Sequence, residues 1–296
     1  VKDRGQRVVA VRHPMPYGDL TQQVVQRFAR LEDFDRHQCT IEEREEYEPL
    51  VDQGIVVYAG IDYQAILTEA EKEADIIVWD GGNNDTPFYY PDVHIVVFDP
   101  HRAGHECRYY PGETNMIMAD IAVINKVDRA AADHINIVRN NIVTHAPDAD
   151  IVLAESAILV ASPEQIKGKR VLVVEDGPTL THGDMAFGAG TIAARRYGAA
   201  ELVEAARYAV GSLRDIYARY PHIRQVLPAM GYGPQQVRDL EATIRAAECD
   251  LVLCATPIDL PRLLQIDKPT LRVRYEYQDS PGGLPLEEAL TRRLAI

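Results

Sequence analysis

The chain has 296 residues, which suits one large domain or two ordinary ones, and 46% of its residues are hydrophobic. Its formal net charge of -14 argues against a general binder of nucleic acid or anionic membranes, and no apolar run approaches the roughly 20 residues of a membrane helix. Because no signal peptide is visible either, we expect a globular cytoplasmic protein without nucleic-acid or membrane partners.

Short apolar runs rich in β-branched residues alternate with amphipathic segments along the whole chain. This pattern predicts an α/β fold with a mostly parallel sheet, in which ligands bind at the carboxyl ends of the strands. The clearest predicted helices are 62–74 and 234–248. The predicted strands are 7–12, 55–58, 75–79, 94–98, 121–125, 151–154, 170–175, 250–255 and 270–275.

A polar stretch at 160–169 separates two series of strands and helices. It predicts a larger region over 1–160, a smaller α/β region over 169–278 and a tail over 279–296 that ends as a short helix. The first residues look like the last turn of a helix followed by a glycine stop. We therefore expect further sequence upstream of Val1.

The segment 40–49 is dominated by glutamates, and its composition predicts a helix with a charged, solvated face. The alternative is that Thr40 is a hydroxyl of a mobile loop near Mg²⁺.

An Asn-Lys-Val-Asp motif follows the apolar strand 121–125, the position at which many GTPases read guanine. The Asp128 carboxylate can accept both N–H groups of the guanine edge, a contact that discriminates against adenine by about 1–3 kcal/mol. Asn125 would brace the loop, and the stem of Lys126 would lie along the base. Ser156 and Ala157, which follow the next strand, would contact the base edge. The alternative interpretation is an ordinary polar turn after a strand.

Asp80 ends another apolar strand and is followed by two glycines. This arrangement resembles the strand-end carboxylate that holds Mg²⁺, through water, beside a nucleotide γ-phosphate. Asn83 and Asn84 would offer polar groups to a substrate, whereas the alternative is a simple turn. The phosphate-binding motif G-x-x-x-x-G-K-[ST] is absent from the sequence, and an upstream truncation would account for its absence.

Basic residues gather in the polar stretch 99–115, where His101, Arg102 and Arg108 lie close together in sequence. In a chain this acidic, their density favours an anion site, although a solvated surface loop is an equal alternative. His13, in the polar stretch after the first strand, would line the same sheet edge.

A glycine-rich stretch at 174–196 follows a strand and leads through Gly188 and Gly190 into a helix. Exposed N–H groups and a helix N-terminus would form a cradle for a substrate phosphate. The candidate substrate-binding residues here are Gly177, Thr179, Thr181, His182 and Gly183.

Several long motifs together resemble cyclic 2,3-diphosphoglycerate synthetase and its bacterial predicted-GTPase relatives, over essentially the whole chain. They are VRHPMPYGDL, CTIEEREEYEP, WDGGNND, DPHRAGHE, YYPGETN, INKVD, VEDGPTLTHGDM and LPAMGYG. The resemblance implies a P-loop NTPase core of the type shared with metallochaperone GTPases, with an N-terminal portion carrying the P-loop outside this chain. It also implies closure of 2,3-diphosphoglycerate to its cyclic anhydride with ATP and Mg²⁺, and full-length relatives suggest a homodimer.

Under this resemblance the chain is part of a nucleotide-dependent ligase. Asp80 would organise Mg²⁺ for catalysis, Lys126 would act at the same centre, and His101 and Arg102 would hold the small phosphorylated substrate. The choice between ATP and GTP stays open, because the Asn-Lys-Val-Asp motif predicts guanine. The alternative function is a regulatory or metallochaperone-like GTPase. The fragment alone is expected to be inactive.

Overall fold

A computed structural model describes residues 5–13, 15, 19–82, 85–181, 185–230 and 233–294. The chain divides into two compact units, each formed by two segments. The first unit comprises Val1–Val78 and Ile158–Arg274, and the second comprises Trp79–Ala157 and Tyr275–Ile296. The predicted seam at 160–169 therefore falls inside the first unit, and the predicted tail 279–296 belongs to the second.

The elements alternate between strands and helices, so the predicted α/β class is confirmed. In the described residues the strands are β1 (Val8–Arg12), β2 (Gln26–Phe28), β3 (Val56–Ala59), β4 (Ile76–Trp79), β5 (Ile95–Phe98), β6 (Ile121–Ile124), β7 (Asp150–Val160), β8 (Arg170–Asp176), β9 (Glu201–Leu202), β10 (Leu227–Ala229), β11 (Leu251–Ala255) and β12 (Thr270–Asp279). The α-helices are α1 (Leu31–Arg36), α2 (Ile41–Asp52), α3 (Tyr63–Glu73), α4 (Gly112–Ile117), α5 (Ala132–His145), α6 (Gly177–Thr181), α7 (Ala189–Arg196), α8 (Ser212–Arg219), α9 (Pro234–Ala246), α10 (Leu260–Leu263) and α11 (Leu286–Leu294).

The first unit contains a small sheet with the strand order β2-β3-β1-β4. Strands β1 and β3 are parallel, and β2 is antiparallel to β3. Phe28, Phe34 and Tyr47 are buried together behind this sheet, with the Phe28 ring stacked on Phe34 at 5.3 Å between centroids. These aromatic side chains fix α1 and α2 against the sheet, because burying such large apolar groups is strongly favourable.

The first unit also contains a second run of strands in the order β10-β8-β11-β12, with β9 beside β8. Every registered pair in this run is parallel. Residues 171–175 of β8 are buried throughout, as expected for a parallel strand covered on both faces. The short strands β9 and β10 are missing from the sequence prediction, because a few residues carry too little periodicity to be recognised.

The second unit is organised around the parallel strands β5, β6 and β7. Phe98, Met116 and Ile124 pack with Val138 and Ile142 of α5 on one side of these strands. On the other side α11 buries Ala289 in a cluster with Ile121, Val123, Val152 and Ala154. In the described part of the chain, no helix combines the length and apolar composition needed to cross a membrane.

Candidate functional site

Donor groups converge on Asp99, which follows β5 in the second unit. The Lys126 Nζ donates to Asp99 Oδ2 at 2.9 Å, and the Arg102 Nη2 donates to the same oxygen at 3.2 Å. The backbone N–H of His101 donates to Asp99 Oδ1 at 3.0 Å and begins a 3-10 turn over Pro100–Arg102. We call Asp99, His101, Arg102 and Lys126 the Asp99 cluster. Three of these residues were predicted as site residues, and Asp99, which joins them, was not.

The electrostatics of the cluster depend on the balance between burial and the lysine. Burial acts to raise the pKa of Asp99, but the charge and hydrogen bond of Lys126, together with the His101 N–H and the charge of Arg102, outweigh it, so the pKa lies below its usual value. Asp99 is therefore ionised at neutral pH. Its carboxylate holds the head group of Lys126 at the carboxyl ends of β5 and β6.

The loop after β6 is fixed by hydrogen bonds within the second unit. Lys126 has a φ of +59°, a left-handed conformation that is uncommon for a non-glycine residue, and its N–H donates to Asn125 Oδ1 at 2.8 Å. The N–H of Val127 donates to the carbonyl of Ala154 at 3.1 Å. The motif is therefore held against β7 in one defined conformation.

Arg129 connects the motif to the other predicted base-binding residues. Its Nη2 donates to the carbonyl of Ser156 at 2.7 Å, and its Nε lies 3.1 Å from Asp128 Oδ2. Ser156 and Ala157 lie inside β7, which is longer than the predicted strand 151–154. The prediction that these two residues follow a strand is therefore wrong, although the structure does bring Ser156 to the motif.

Asp80 follows β4, which pairs in the small sheet with β1, so the strand before Asp80 belongs to a different sheet from β5–β7. A Cβ on Gly81 would lie 2.3 Å from the Trp79 ring, and the N–H of Gly82 donates to Asp85 Oδ2 at 2.8 Å. The two glycines thus serve local packing and a turn. Asn83 and Asn84 lie outside the described residues.

Proteins commonly hold Mg²⁺ through one or two carboxylates together with phosphate oxygens, so a single carboxyl such as that of Asp80 is compatible with the prediction. Among the described residues, no group of three or more His, Cys, Asp or Glu side chains is placed to hold a metal ion. The magnesium role of Asp80 stays a prediction.

The remaining predicted residues are distributed over both units. His101 and Arg108 are exposed, and Arg108 follows a 3-10 turn at His105–Cys107 in the second unit. His13 follows β1 in the first unit, where its carbonyl accepts a hydrogen bond from the Tyr47 hydroxyl at 3.4 Å. His182 and Gly183 lie outside the described residues.

The predicted glycine-rich loop begins as a helix. Gly177 and Thr179 lie in α6, and the Thr181 hydroxyl donates to the carbonyl of Gly177 at 3.0 Å. A Cβ on Gly177 would lie 2.4 Å from the carbonyl oxygen of Ala229, so close packing against β10 requires glycine at this position.

The amides at the N-terminus of α7 already bind an anion that belongs to the protein. Glu175, at 2% exposure, accepts from the N–H groups of Gly188 at 3.0 Å, Gly190 at 3.2 Å and Thr191 at 2.8 Å. The Thr191 hydroxyl adds a fourth hydrogen bond at 2.9 Å. The prediction that these amides cradle a substrate phosphate is therefore wrong, since the Glu175 carboxylate fills the position.

Helix α2 differs most from its prediction. The segment is helical, but Glu42, Glu43, Glu45 and Glu48 are buried, with exposures of 5%, 4%, 7% and 2%. The prediction of a solvated charged face is wrong. Thr40 is the N-cap of this helix, because its hydroxyl accepts from the Glu43 N–H at 3.2 Å while the Glu43 carboxylate accepts from the Thr40 N–H at 2.7 Å.

The buried Glu45 carboxyl meets a second acid, Asp176, at the end of β8 in the same unit. Burial, and then the charge of Asp176, raise the pKa of Glu45 to about 10. Glu42 contributes further repulsion. The signal in the sequence is the three-residue spacing of Glu42, Glu45 and Glu48, which places them on one helix face.

The sequence is similar to arginine synthetase ArcE of Thermococcus kodakarensis, with 59% identity over 290 residues. The match covers 98% of this chain and 64% of that protein, so the chain spans less than two thirds of the relative's length. No protein-family model matches the sequence. Among solved structures, LpxK from Aquifex aeolicus in complex with ATP gives a TM-score of 0.46 at 10% identity, covering 99% of this chain and 79% of that one. A TM-score at this level does not establish a common fold.

Proposed function

We propose that the protein containing this chain is a nucleotide-dependent synthetase that forms arginine. The observation that carries the proposal is the 59% identity to an arginine synthetase along almost the whole chain. Because the chain spans 64% of that relative, the activity is proposed for the intact protein.

Forming a guanidinium group from a ureido group requires that the ureido carbon be activated for attack by ammonia. In the reaction we propose, the terminal phosphoryl group of the nucleotide passes to the oxygen of a ureido amino acid such as citrulline. Ammonia then attacks the ureido carbon, and phosphate leaves with the former ureido oxygen, which gives the guanidinium group. Catalysis of this kind depends mainly on positioning and charge neutralisation.

The loops of the second unit are the proposed position of the nucleotide. Asn125, Lys126 and Asp128 follow β6 at the carboxyl ends of parallel strands, which is the expected place for a ligand in such a sheet. Their conformation is fixed by Asp99 and Arg129, so the base edge would meet a preorganised loop. The Asp80 carboxyl is the proposed partner of Mg²⁺.

Incubation of the intact protein with citrulline, ammonium and either ATP or GTP tests the proposal. We expect arginine to accumulate in equal amounts with nucleoside diphosphate, as measured by mass spectrometry and a coupled phosphate assay. Hydrolysis of GTP in preference to ATP, without formation of arginine, would support the regulatory GTPase interpretation instead.

Cyclic 2,3-diphosphoglycerate synthesis is the second candidate function, favoured by the long motifs of the chain that resemble those of that family. The same assay with 2,3-diphosphoglycerate in place of citrulline and ammonium separates the two reactions. A phosphorus NMR signal of the cyclic anhydride would identify this candidate as the activity.

A further inference from the structure

The first unit contains a cavity of about 360 Å³ that none of the predicted site residues lines. Its lining residues come from the end of α1, the start of α2, the start of α9 and the end of α10. All four segments belong to the same unit. The volume falls in the range of small-molecule sites in proteins, so the cavity can hold a ligand of the size of an amino acid.

Part of the cavity wall is apolar. Val237 of α9 and Leu263 of α10 line it together with Phe34 and Ile41. Phe34 is buried in the cluster behind the small sheet, and Ile41 is buried in the core around the second run of strands. Packing therefore fixes this wall on both sides. It suits an aliphatic chain, because apolar surface gains free energy when it leaves water.

Two opposite charges also line the cavity. The side chain of Arg44 is 11% exposed and that of Asp35 is 79% exposed, and the Arg44 Nη2 donates to Asp35 Oδ1. The guanidinium carbon of Arg44 lies 5.4 Å from the centre of the Phe34 ring, a contact that holds the side chain in place. Among the described residues, Asp35 accepts the one hydrogen bond that this side chain gives, although a guanidinium has five N–H donors. A mostly buried cation therefore has donors left for an anion.

The start of α9 adds to the positive potential of the cavity. Gly233 is the N-cap of this 13-residue helix and Pro234 is its first residue, and both line the cavity. A glycine N-cap has no side chain to accept from the helix amides, and the positive end of the helix dipole favours an anion. Gln38 lines the same cavity with a φ of +54°, so an amide side chain occupies a left-handed position where glycine is usual.

We infer that this cavity binds a zwitterionic α-amino acid with a linear side chain. The carboxylate of the ligand accepts charge-assisted hydrogen bonds from Arg44, its α-ammonium pairs with Asp35, and its aliphatic chain lies along Val237 and Leu263. A zwitterion matches the two charges of the wall, whereas a simple anion such as phosphate would meet the like charge of Asp35. The inference rests on the proposed function for the identity of the amino acid, which is citrulline.

The test is calorimetric titration of the intact protein with citrulline, norvaline, pentanoate and butylamine. Norvaline keeps the α-amino acid group and the carbon chain of citrulline, pentanoate lacks the ammonium group, and butylamine lacks the carboxylate. Citrulline and norvaline are expected to bind. Pentanoate and butylamine are each expected to bind about tenfold or more weakly than norvaline, since each loses one charge-assisted contact.

Two pairs of variants locate the site. Arg44→Met keeps an aliphatic stem on the aromatic ring below it and should weaken norvaline about tenfold or more. Arg36→Met is its matched control, because Arg36 is an exposed arginine of α1 that does not line the cavity. Asp35→Asn should weaken norvaline but not pentanoate, and Glu71→Gln, on the exposed face of α3, should change neither. Thermal melts establish that each variant is folded.

Equal affinity of the wild type and Arg44→Met for norvaline would overturn the inference, and so would pentanoate or butylamine that binds as tightly as norvaline. The proposed function and this inference can fail separately. Norvaline binding that is lost in Arg44→Met, in a protein that forms no arginine, would support the cavity without the proposed reaction. Arginine formation by Arg44→Met with an unchanged KM for citrulline and an unchanged affinity for norvaline would support the reaction without the cavity.

Discussion

The wild-type protein should lose stability as the pH rises because of Glu45, and replacing Glu45 by Gln should remove that loss. The pKa of the carboxyl is about 10 in the folded protein, because the side chain is buried beside Asp176, and near 4.3 in an unfolded chain. Between these values the folded state binds a proton that the unfolded state has lost. The free energy of unfolding therefore falls with rising pH by about 1.4 kcal/mol per pH unit from this group alone.

Glutamine has nearly the shape of the protonated glutamate and does not titrate. At about pH 5 the two proteins should therefore have similar stability, and by about pH 8 the variant should be more stable by up to about 4 kcal/mol. Urea unfolding at a series of pH values, followed by circular dichroism, measures the difference. Glu71→Gln should follow the wild-type profile. Parallel profiles for the wild type and Glu45→Gln would refute the reasoning.

The other predictions concern the nucleotide loop and the glycine of α6 that packs against β10. Lys126→Met should lower stability by about 1 kcal/mol in denaturant titrations, because it leaves the half-buried Asp99 carboxylate without its lysine partner; no change would contradict the role of the pair. Asp128→Asn should weaken GTP binding about tenfold or more in fluorescence titrations while sparing ATP, if Asp128 contacts the guanine edge. Gly177→Ala should destabilise the protein by about 1–3 kcal/mol, because its Cβ would lie 2.4 Å from the Ala229 carbonyl oxygen; a melting temperature equal to that of the wild type would exclude this clash.

Much of the framework follows from local patterns. The apolar runs at β1, β5, β6, β8 and β11 are long enough and sufficiently β-branched to predict strands, and the clearest helices were placed within a few residues. The sequence pattern also predicted that Lys126 comes directly after a strand, although β6 ends one residue earlier than predicted.

The errors share a tertiary cause. Glu175 meets the amides of α7 only in the folded chain, 13 to 16 residues away in sequence, so the sequence shows free donors where the fold supplies an acceptor. Glutamates on α2 suggest a solvated surface, because such residues are rarely buried without a partner. Asp99 was missed for the same reason, since its importance depends on Lys126, which is distant in sequence.

The most direct test of the account is the formation of arginine by the intact protein from citrulline, ammonium and a nucleoside triphosphate. The account predicts one arginine for each nucleoside diphosphate formed. A protein that forms no arginine with either ATP or GTP, while it hydrolyses nucleotide or closes 2,3-diphosphoglycerate, would contradict it.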